Sequence, residues 1–424
     1  LLTSLSTNNQ QIYDITANLT KKFGWADLTV TAFHEQSRFV TNNTATPFGT
    51  ATGFGEFVQN VHTTPVWSTG ASVQLSGRIN DIVRLASIGA DFQQISGMDQ
   101  AAIFNGTGTQ IRTDVGLGKQ RFLGVFAQLD IFPVDTVEIL LSGRFQNFLN
   151  FDGFDGTPGG QGTVPDSSTN SFDPRLSVLW MVTPDIGLRA AAYSAFRAPN
   201  LDNLYRGFST PSGVFLPNSQ LTPERLKGVE GGFDVTFGPV SGQFTAFYQE
   251  VTNLITSRPL APTQLPAGFF FGTQNINAGR AVVQGLEVQL GWQVMPGLRA
   301  DANYTTVSSR IVENQFDPLS VGKQQAGIPT QQAAAMLSYS DPRGWRASGR
   351  LRWIGQSWGD NDNTMPVDSF TVIDLSAGYR FRGVEAFVDI QNLFNAYYIA
   401  NNSGFSPPVQ GTPFTVFAGL KARF

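Results

Sequence analysis

The chain is expected to fold as an all-β protein, a transmembrane antiparallel β-barrel, and three observations carry that expectation. Apolar residues recur at every second position: Thr371, Ile373, Leu375, Ala377, Tyr379 and Phe381 are apolar or β-favouring, while Asp374, Ser376, Gly378 and Arg380 between them are polar or tiny. That period of two belongs to a strand with one greasy and one wet face. Short and long connections then alternate along the whole 424 residues. Finally, charged residues make up only 14% of the chain, with 44 Gly and 35 Phe, against roughly 25% charged residues in soluble proteins. No run of about 18 apolar residues exists, which rules out a helical span. A closed barrel is the other structure that pairs all its backbone in lipid.

Taken in order, the alternation gives about seventeen strands, each near the roughly 9 to 11 residues that cross a bilayer at a tilt. The first runs from about Gln10 to Lys21, and Leu28 and Val30 oppose Asp27, Thr29 and Thr31 in the second. Further on, Val137, Ile139 and Leu141 oppose Glu138, Ser142 and Arg144, and Leu188, Ala190 and Ala192 oppose Arg189. Trp345, Ala347, Leu351 and Trp353 oppose Arg346, Ser348, Arg350 and Arg352, and the last strand runs from Phe414 to Phe424. Short turns are expected at Phe23 to Ala26, Ile79 to Ile82, Pro133 to Asp135, Thr183 to Asp185, Gly238 to Pro239, Met295 to Gly297, Ser340 to Arg343 and Arg382 to Gly383. Most carry the Gly, Pro or Asp that tight turns require. Long loops fall at 41–65, 97–118, 151–170, 198–221, 256–278, 309–326, 356–369 and 396–412. This is the asymmetry of periplasmic turns and extracellular loops.

An Arg or Lys on the lipid face near the midplane costs roughly 2 to 4 kcal/mol, so the strand charges must point inward. Arg144, Arg189, Glu230, Asp301, Arg350, Arg352, Asp374, Arg380, Asp389 and Lys421 are therefore expected to line a polar lumen. The first and last strands both run down toward short turns and would meet in parallel. An all-antiparallel barrel does not close that way, and open edges in lipid are not tolerated. The expectation is that residues 1–424 form the C-terminal portion of a barrel from which an odd number of strands is missing.

The net charge of -4 offers no basic face for a nucleic-acid partner. Zero Cys removes disulfide and thiol chemistry, and no leader is visible at Leu1-Leu2-Thr3. Gly355-Gln356-Ser357-Trp358-Gly359 matches a nucleophile-elbow pattern, but that mechanism needs a downstream His and none follows His62. The stretch reads as a strand end entering a loop, and the protein as no enzyme. His34 and His62, the only imidazoles, are too few and too scattered for a His-type metal site and read as solvated rim or loop residues. Gly359-Asp360-Asn361-Asp362-Asn363 has oxygen ligands yet lacks the Gly and bidentate Glu of a calcium loop, and reads as a polar extracellular loop. Phe269-Phe270-Phe271, Trp358 and Phe405 lie in or beside long loops, where aromatics either grip a ligand or form an interfacial girdle; the girdle is preferred for Trp358. No cofactor is expected.

Several stretches resemble one family, the TonB-dependent outer-membrane receptors. Ala195-Phe196-Arg197-Ala198-Pro199-Asn200-Leu201 with Leu204-Tyr205 resembles the family's strand-to-loop signature. Leu221-Thr222-Pro223-Glu224 with Val229-Glu230-Gly231, Asn277-Ala278-Gly279-Arg280 with Gln284-Gly285-Leu286-Glu287, and Asn392-Leu393-Phe394-Asn395 with Tyr398 are similar to its other signatures. The family's barrel has about 22 strands around a plugged lumen. Against about seventeen here, five are lacking, the odd number that parity demands, together with the N-terminal plug and its TonB-contacting box. The resemblance implies residence in the outer membrane of a Gram-negative bacterium, surrounded by membrane lipid. It also implies active transport of a scarce small molecule, first an iron chelate such as a ferric siderophore, otherwise cobalamin or a glycan. TonB-ExbB-ExbD would engage through the missing N-terminal part. A passive porin with the same polar lumen is the alternative. By resemblance to other outer-membrane proteins, the terminal Phe424 is the recognition signal of the assembly machinery.

Overall fold

The computed structural model describes residues 6–45, 57–209, 213–402 and 408–422. Among these residues seventeen strands form the wall. They are β1 (Thr7–Lys22), β2 (Asp27–Ala45), β3 (Phe57–Gly77), β4 (Val83–Phe104), β5 (Gln110–Val134), β6 (Val137–Asp155), β7 (Ser167–Thr183), β8 (Ile186–Arg197) and β9 (Glu224–Phe237). They continue as β10 (Val240–Pro259), β11 (Phe271–Met295), β12 (Leu298–Asn314), β13 (Gln331–Ser340), β14 (Trp345–Ile354), β15 (Phe370–Phe381), β16 (Val384–Gln391) and β17 (Thr415–Ala422). Each pairs antiparallel with its neighbour in sequence. Among the described residues β1 pairs only with β2, and β17 only with β16.

All eight short turns lie where the sequence puts them, and Arg382-Gly383 shows why. Both residues have positive φ, 48° and 84°, the conformation whose twist matches that of the flanking strands. Strand length departs from expectation. Strands β2 to β6 run for 19 to 25 residues rather than about ten, because they continue above the membrane. The segment 97–118 is thus mostly strand, with a hairpin over 105–109, rather than a loop. Alternation persists in it but is shaped there by contacts other than lipid. Phe405 and Phe424 lie outside the described residues.

The two faces separate as expected. Large apolar side chains such as Val73, Val125, Leu290, Leu351 and Leu420 are exposed on the outside, where hydrocarbon replaces water. Trp180, Phe237, Trp292, Trp345 and Tyr379 ring the lower edge near the short turns, as interfacial aromatics do. Trp345 and Tyr379 sit with ring centroids 4.6 Å apart. Inside, the charges pair across strands: Arg144 with Asp91 at 2.6 Å, Arg189 with Asp234 at 3.0 Å, Arg350 with Asp374 at 2.8 Å, and Arg346 and Arg380 with Glu385. Gly124 makes the first pair possible, because a Cβ there would overlap the Arg144 guanidinium. A lumenal hollow of about 850 Å³ is lined by Glu287, Arg299, Asp301, Asn303, Arg350 and Arg352 among others.

Candidate functional site

The extracellular mouth is built around the segment between β8 and β9, a strap folded over the lumen-facing side of the upper wall. It begins at Pro199, whose carbonyl accepts a hydrogen bond from Gln120 Nε2 at 2.7 Å. Asn200 caps the short helix α1 (Leu201–Tyr205), its Oδ1 accepting the Asn203 N–H at 2.7 Å. Leu204 and Tyr205 are buried with Val164 and Leu221 in the mouth's own apolar core. The Tyr205 ring, only 2% exposed, lies against Gly118 of β5 and Gly153 of β6, where any Cβ would overlap it. Burial pushes the Tyr205 phenol up to about 12, with the Asp166 carboxylate adding to the effect.

Polar contacts fix the strap at both ends. Arg206 pairs with Asp99 of β4 at 3.0 Å and with Asp202 at 2.9 Å. Asp99 in turn accepts a hydrogen bond from Thr64 Oγ1 at 2.6 Å and contacts His62 Nδ1 at 2.8 Å. Arg112 joins Asp114 to Ser209 Oγ. Further along, Gly213–Leu216 pairs in parallel with 271–274 of β11. Asn218 Nδ2 donates to the Asn275 carbonyl, and Asn277 exchanges hydrogen bonds with Thr222. The strap therefore ties the wall at β4 to β6 to the wall at β11.

The family-signature residues divide between two places. Phe196, Arg197 and Pro199 enter the strap, and Arg197 pairs with the buried Glu224 at 2.5 Å. Glu224 also accepts the Ile255 N–H at 2.8 Å. Asn392, Leu393 and Phe394 lie far along the wall, at the start of the loop between β16 and β17. Asn392 is buried at φ 49°, a conformation Asn tolerates. Its side chain donates to the carbonyls of Ala396 and Thr412 and accepts the Ala396 N–H. The Leu393 N–H bonds to the Ile373 carbonyl, while Phe394 is exposed.

His62 corrects the sequence reading. It is 4% exposed and bonded to Asp99, not a solvated rim residue. The pairing of β3 with β4 brings His62 to Asp99, and the strap adds Arg206; their wide separation in sequence carries no signal. Tyr205 likewise needs its glycine slot to be seen. Trp358 sits in a small ribbon, 357–358 against 366–367, above the wall rather than on it. Its neighbour Asp360 receives bonds from the Thr364 and Met365 amides and the Thr364 hydroxyl. Burial raises the Asp360 carboxyl, and these bonds outweigh it and hold it below the usual range. Asp362 is pushed up by burial and by the nearby Asp317 and Asp360. Asn361 and Asn363 are engaged with Ala326 and Gln324. Among the described residues no group of three or more His, Asp or Glu side chains is placed to hold a metal ion. Around the rim, Phe208 stacks on Phe215 with centroids 4.2 Å apart, Phe271 meets Phe215 edge-on at 6.5 Å, and Phe270 is 82% exposed.

The comparisons agree with this architecture. The profile described as "TonB dependent receptor-like, beta-barrel" matches residues 2–393. The metal-pseudopaline receptor CntO of Pseudomonas aeruginosa strain UCBPP-PA14 is 26% identical over 269 residues, 61% of this chain and 35% of that protein. The vitamin B12 transporter BtuB of Photobacterium profundum is 25% identical over 230 residues, 54% of this chain and 35% of that one. The chain thus aligns with about a third of the length of these relatives. The solved ferric yersiniabactin uptake receptor FyuA from Yersinia pestis superposes with a TM-score of 0.76 at 16% identity, over 99% of this chain and 62% of that one. The siderophore receptor PiuA from Acinetobacter baumannii gives 0.77 at 16% identity, over 98% and 64%. Fold, strand spacing and the profile match coincide, and the chain belongs to the TonB-dependent receptors, β-barrel proteins of the Gram-negative outer membrane.

Proposed function

We propose that the whole receptor imports a scarce metal chelate, a ferric siderophore before cobalamin or a glycan, with TonB-ExbB-ExbD supplying the energy. The observation that carries this reading is the aromatic cluster of Phe208, Phe215, Phe270 and Phe271 at the rim, above a lumen lined with paired charges. The exposed rings of Phe208, Phe270 and Phe271 offer stacking surface to a bulky, partly apolar ligand coat. The lumenal arginines and carboxylates offer hydrogen bonds to a plug domain of the whole protein. Relatives support the ligand class: besides the two above, the ferrioxamine B receptor of Salmonella typhimurium strain SL1344 is 25% identical over 233 residues.

The test is uptake by a strain deleted for the gene, across ferric siderophores, cobalamin and oligosaccharides, with and without TonB. Loss of uptake of one ligand class, equalled by loss of TonB, is expected. Diffusive entry of small solutes that is indifferent to TonB would replace this reading with a passive porin.

A further inference from the structure

The outward face of β2 to β6 carries a feature that the transport reading does not use. A groove of about 630 Å³ is lined by Val30, Ala71, Val73, Ala90, Phe92 and Leu123, with Val125, Phe145 and Asn147 completing it. The small residues form its floor, between ridges of aromatic and branched side chains. Directly above it, on the same outward face, register places Gln94 beside Arg121, with Lys119 one step higher. Arg38 lies on the outward face of β2, paired in register with Pro65. With a rise of about 3.3 Å per residue and a tilt of about 40°, Arg38 and Arg121 stand roughly 28 to 33 Å above the short turns, just over an apolar band of about 25 Å.

Their charges are uncompensated. Lys119 is neutralised by Asp152 at 2.9 Å. Among the described residues Arg38 and Arg121 form no ion pair, and Arg121 Nε is buried without a hydrogen-bond acceptor. The opposite wall differs: outward Arg280 is met by Glu250 at 3.3 Å and Glu313 at 2.7 Å, and outward Lys227 faces Glu250 in register. Arginine prefers phosphate to hydrated small anions because its fork matches two oxygens at once. The two positions lie three strands apart and, because Arg38 falls level with Leu117, four residues out of step along the wall, so their backbones are about 20 Å apart.

We propose that this face is a binding site for a phosphorylated, multiply acylated lipid of the outer leaflet. The two phosphates of its headgroup meet Arg38 and Arg121, and an acyl chain lies in the groove below. No covalent step is involved.

The test is native mass spectrometry of the full-length receptor in mild detergent, with three probes: a diphosphorylated hexa-acyl glucosamine disaccharide, its dephosphorylated form, and inorganic phosphate. The diphosphorylated lipid is expected to be retained at least tenfold more than the other two, and the double variant Arg38→Glu/Arg121→Glu to lose that excess. Ala90→Phe, which fills the groove and leaves both arginines in place, should lose it as well, whereas Lys227→Glu on the opposite wall should keep it. Folding is checked by the altered gel mobility of unheated barrels, and Arg121→Gln replaces the double variant if that one fails to fold. Equal retention of the dephosphorylated lipid, retention of free phosphate alone, full binding by the arginine variant, or equal loss in Lys227→Glu would each overturn the proposal.

Discussion

The two ends of the wall reach different heights. Strands β2 to β6 run for 19 to 25 residues, while β13 to β17 run for 8 to 12. Both cross the same membrane, so the first group stands well clear of it and the second ends close to its surface. Above the lipid, the long strands no longer choose between hydrocarbon and water. Their inner face is covered by the strap, and the residues there change character: Gly116, Gly118 and Gly153 give room to the chain, and Gln120, Asn150 and Asp99 are buried polar groups satisfied by it or beside it. At the short end no such platform exists among the described residues. Its loops instead make their own ribbons, 357–358 with 366–367 and 399–401 with 409–410, and depend on single residues such as Asn392.

That difference is sharpest at Tyr205. Replacing a buried aromatic ring by Ala typically costs about 3 to 5 kcal/mol, and here the loss falls on the strap alone. Tyr205→Ala is expected to leave the barrel's unheated gel mobility unchanged while proteases gain access between 198 and 221 and amide exchange in α1 speeds up by about two orders of magnitude or more. A strap that stays protected would mean that the polar contacts of Arg206, Arg112 and Asn218 hold it without the ring, and the contrast between the two ends would shrink accordingly.

The short end should respond more weakly and in another way. Asn392→Ala removes three side-chain hydrogen bonds and strains a residue at φ 49°, a cost of about 1 to 3 kcal/mol. Because Asn392 lies between two wall strands, this loss should lower the urea midpoint of the barrel itself, with Asn392→Gly recovering only the backbone part. A variant that changed exchange in the loop and left the midpoint untouched would place β16 and β17 outside the cooperative unit.

Legibility in the sequence follows the same division. Where lipid decides the outer face, as from Phe370 to Gln391, period-two alternation and the Arg382-Gly383 turn yield the strands and the inward charges together. Where the strap decides, as over 97–118, Gly and polar residues imitate a loop, and strand reads as connection. His62 misleads for a related reason: a histidine near a loop looks solvated until β3 and β4 pair and set it against Asp99. Burial by a distant chain segment alternates along β5, but on Gly and polar residues rather than on apolar ones. The Phe196 to Leu201 stretch stands out only through its resemblance to a family, and the structure supplies its physical content, a cap at Asn200 and a bond from Gln120 to Pro199.

The smallest effect tests whether the strap's pocket is as dry as its geometry implies. The Tyr205 phenol is raised by burial to about 12, above roughly 10 for a solvated tyrosine. A group whose folded value is raised favours the fold fully below the unfolded value and loses that contribution as pH rises toward the folded one. Strap protection is therefore expected to be flat up to about pH 10 and to decline between about 10 and 12. Tyr205→Phe keeps the ring in its slot between Gly118 and Gly153 and removes the ionising oxygen. The variant should show the same protection at neutral pH, no such alkaline decline, and one tyrosinate fewer near pH 12 by its ultraviolet absorbance. A difference spectrum showing that tyrosine titrating near the solvated value of about 10 would mean that water reaches the ring, and the upper wall would then be no better sealed than the loops of the short end.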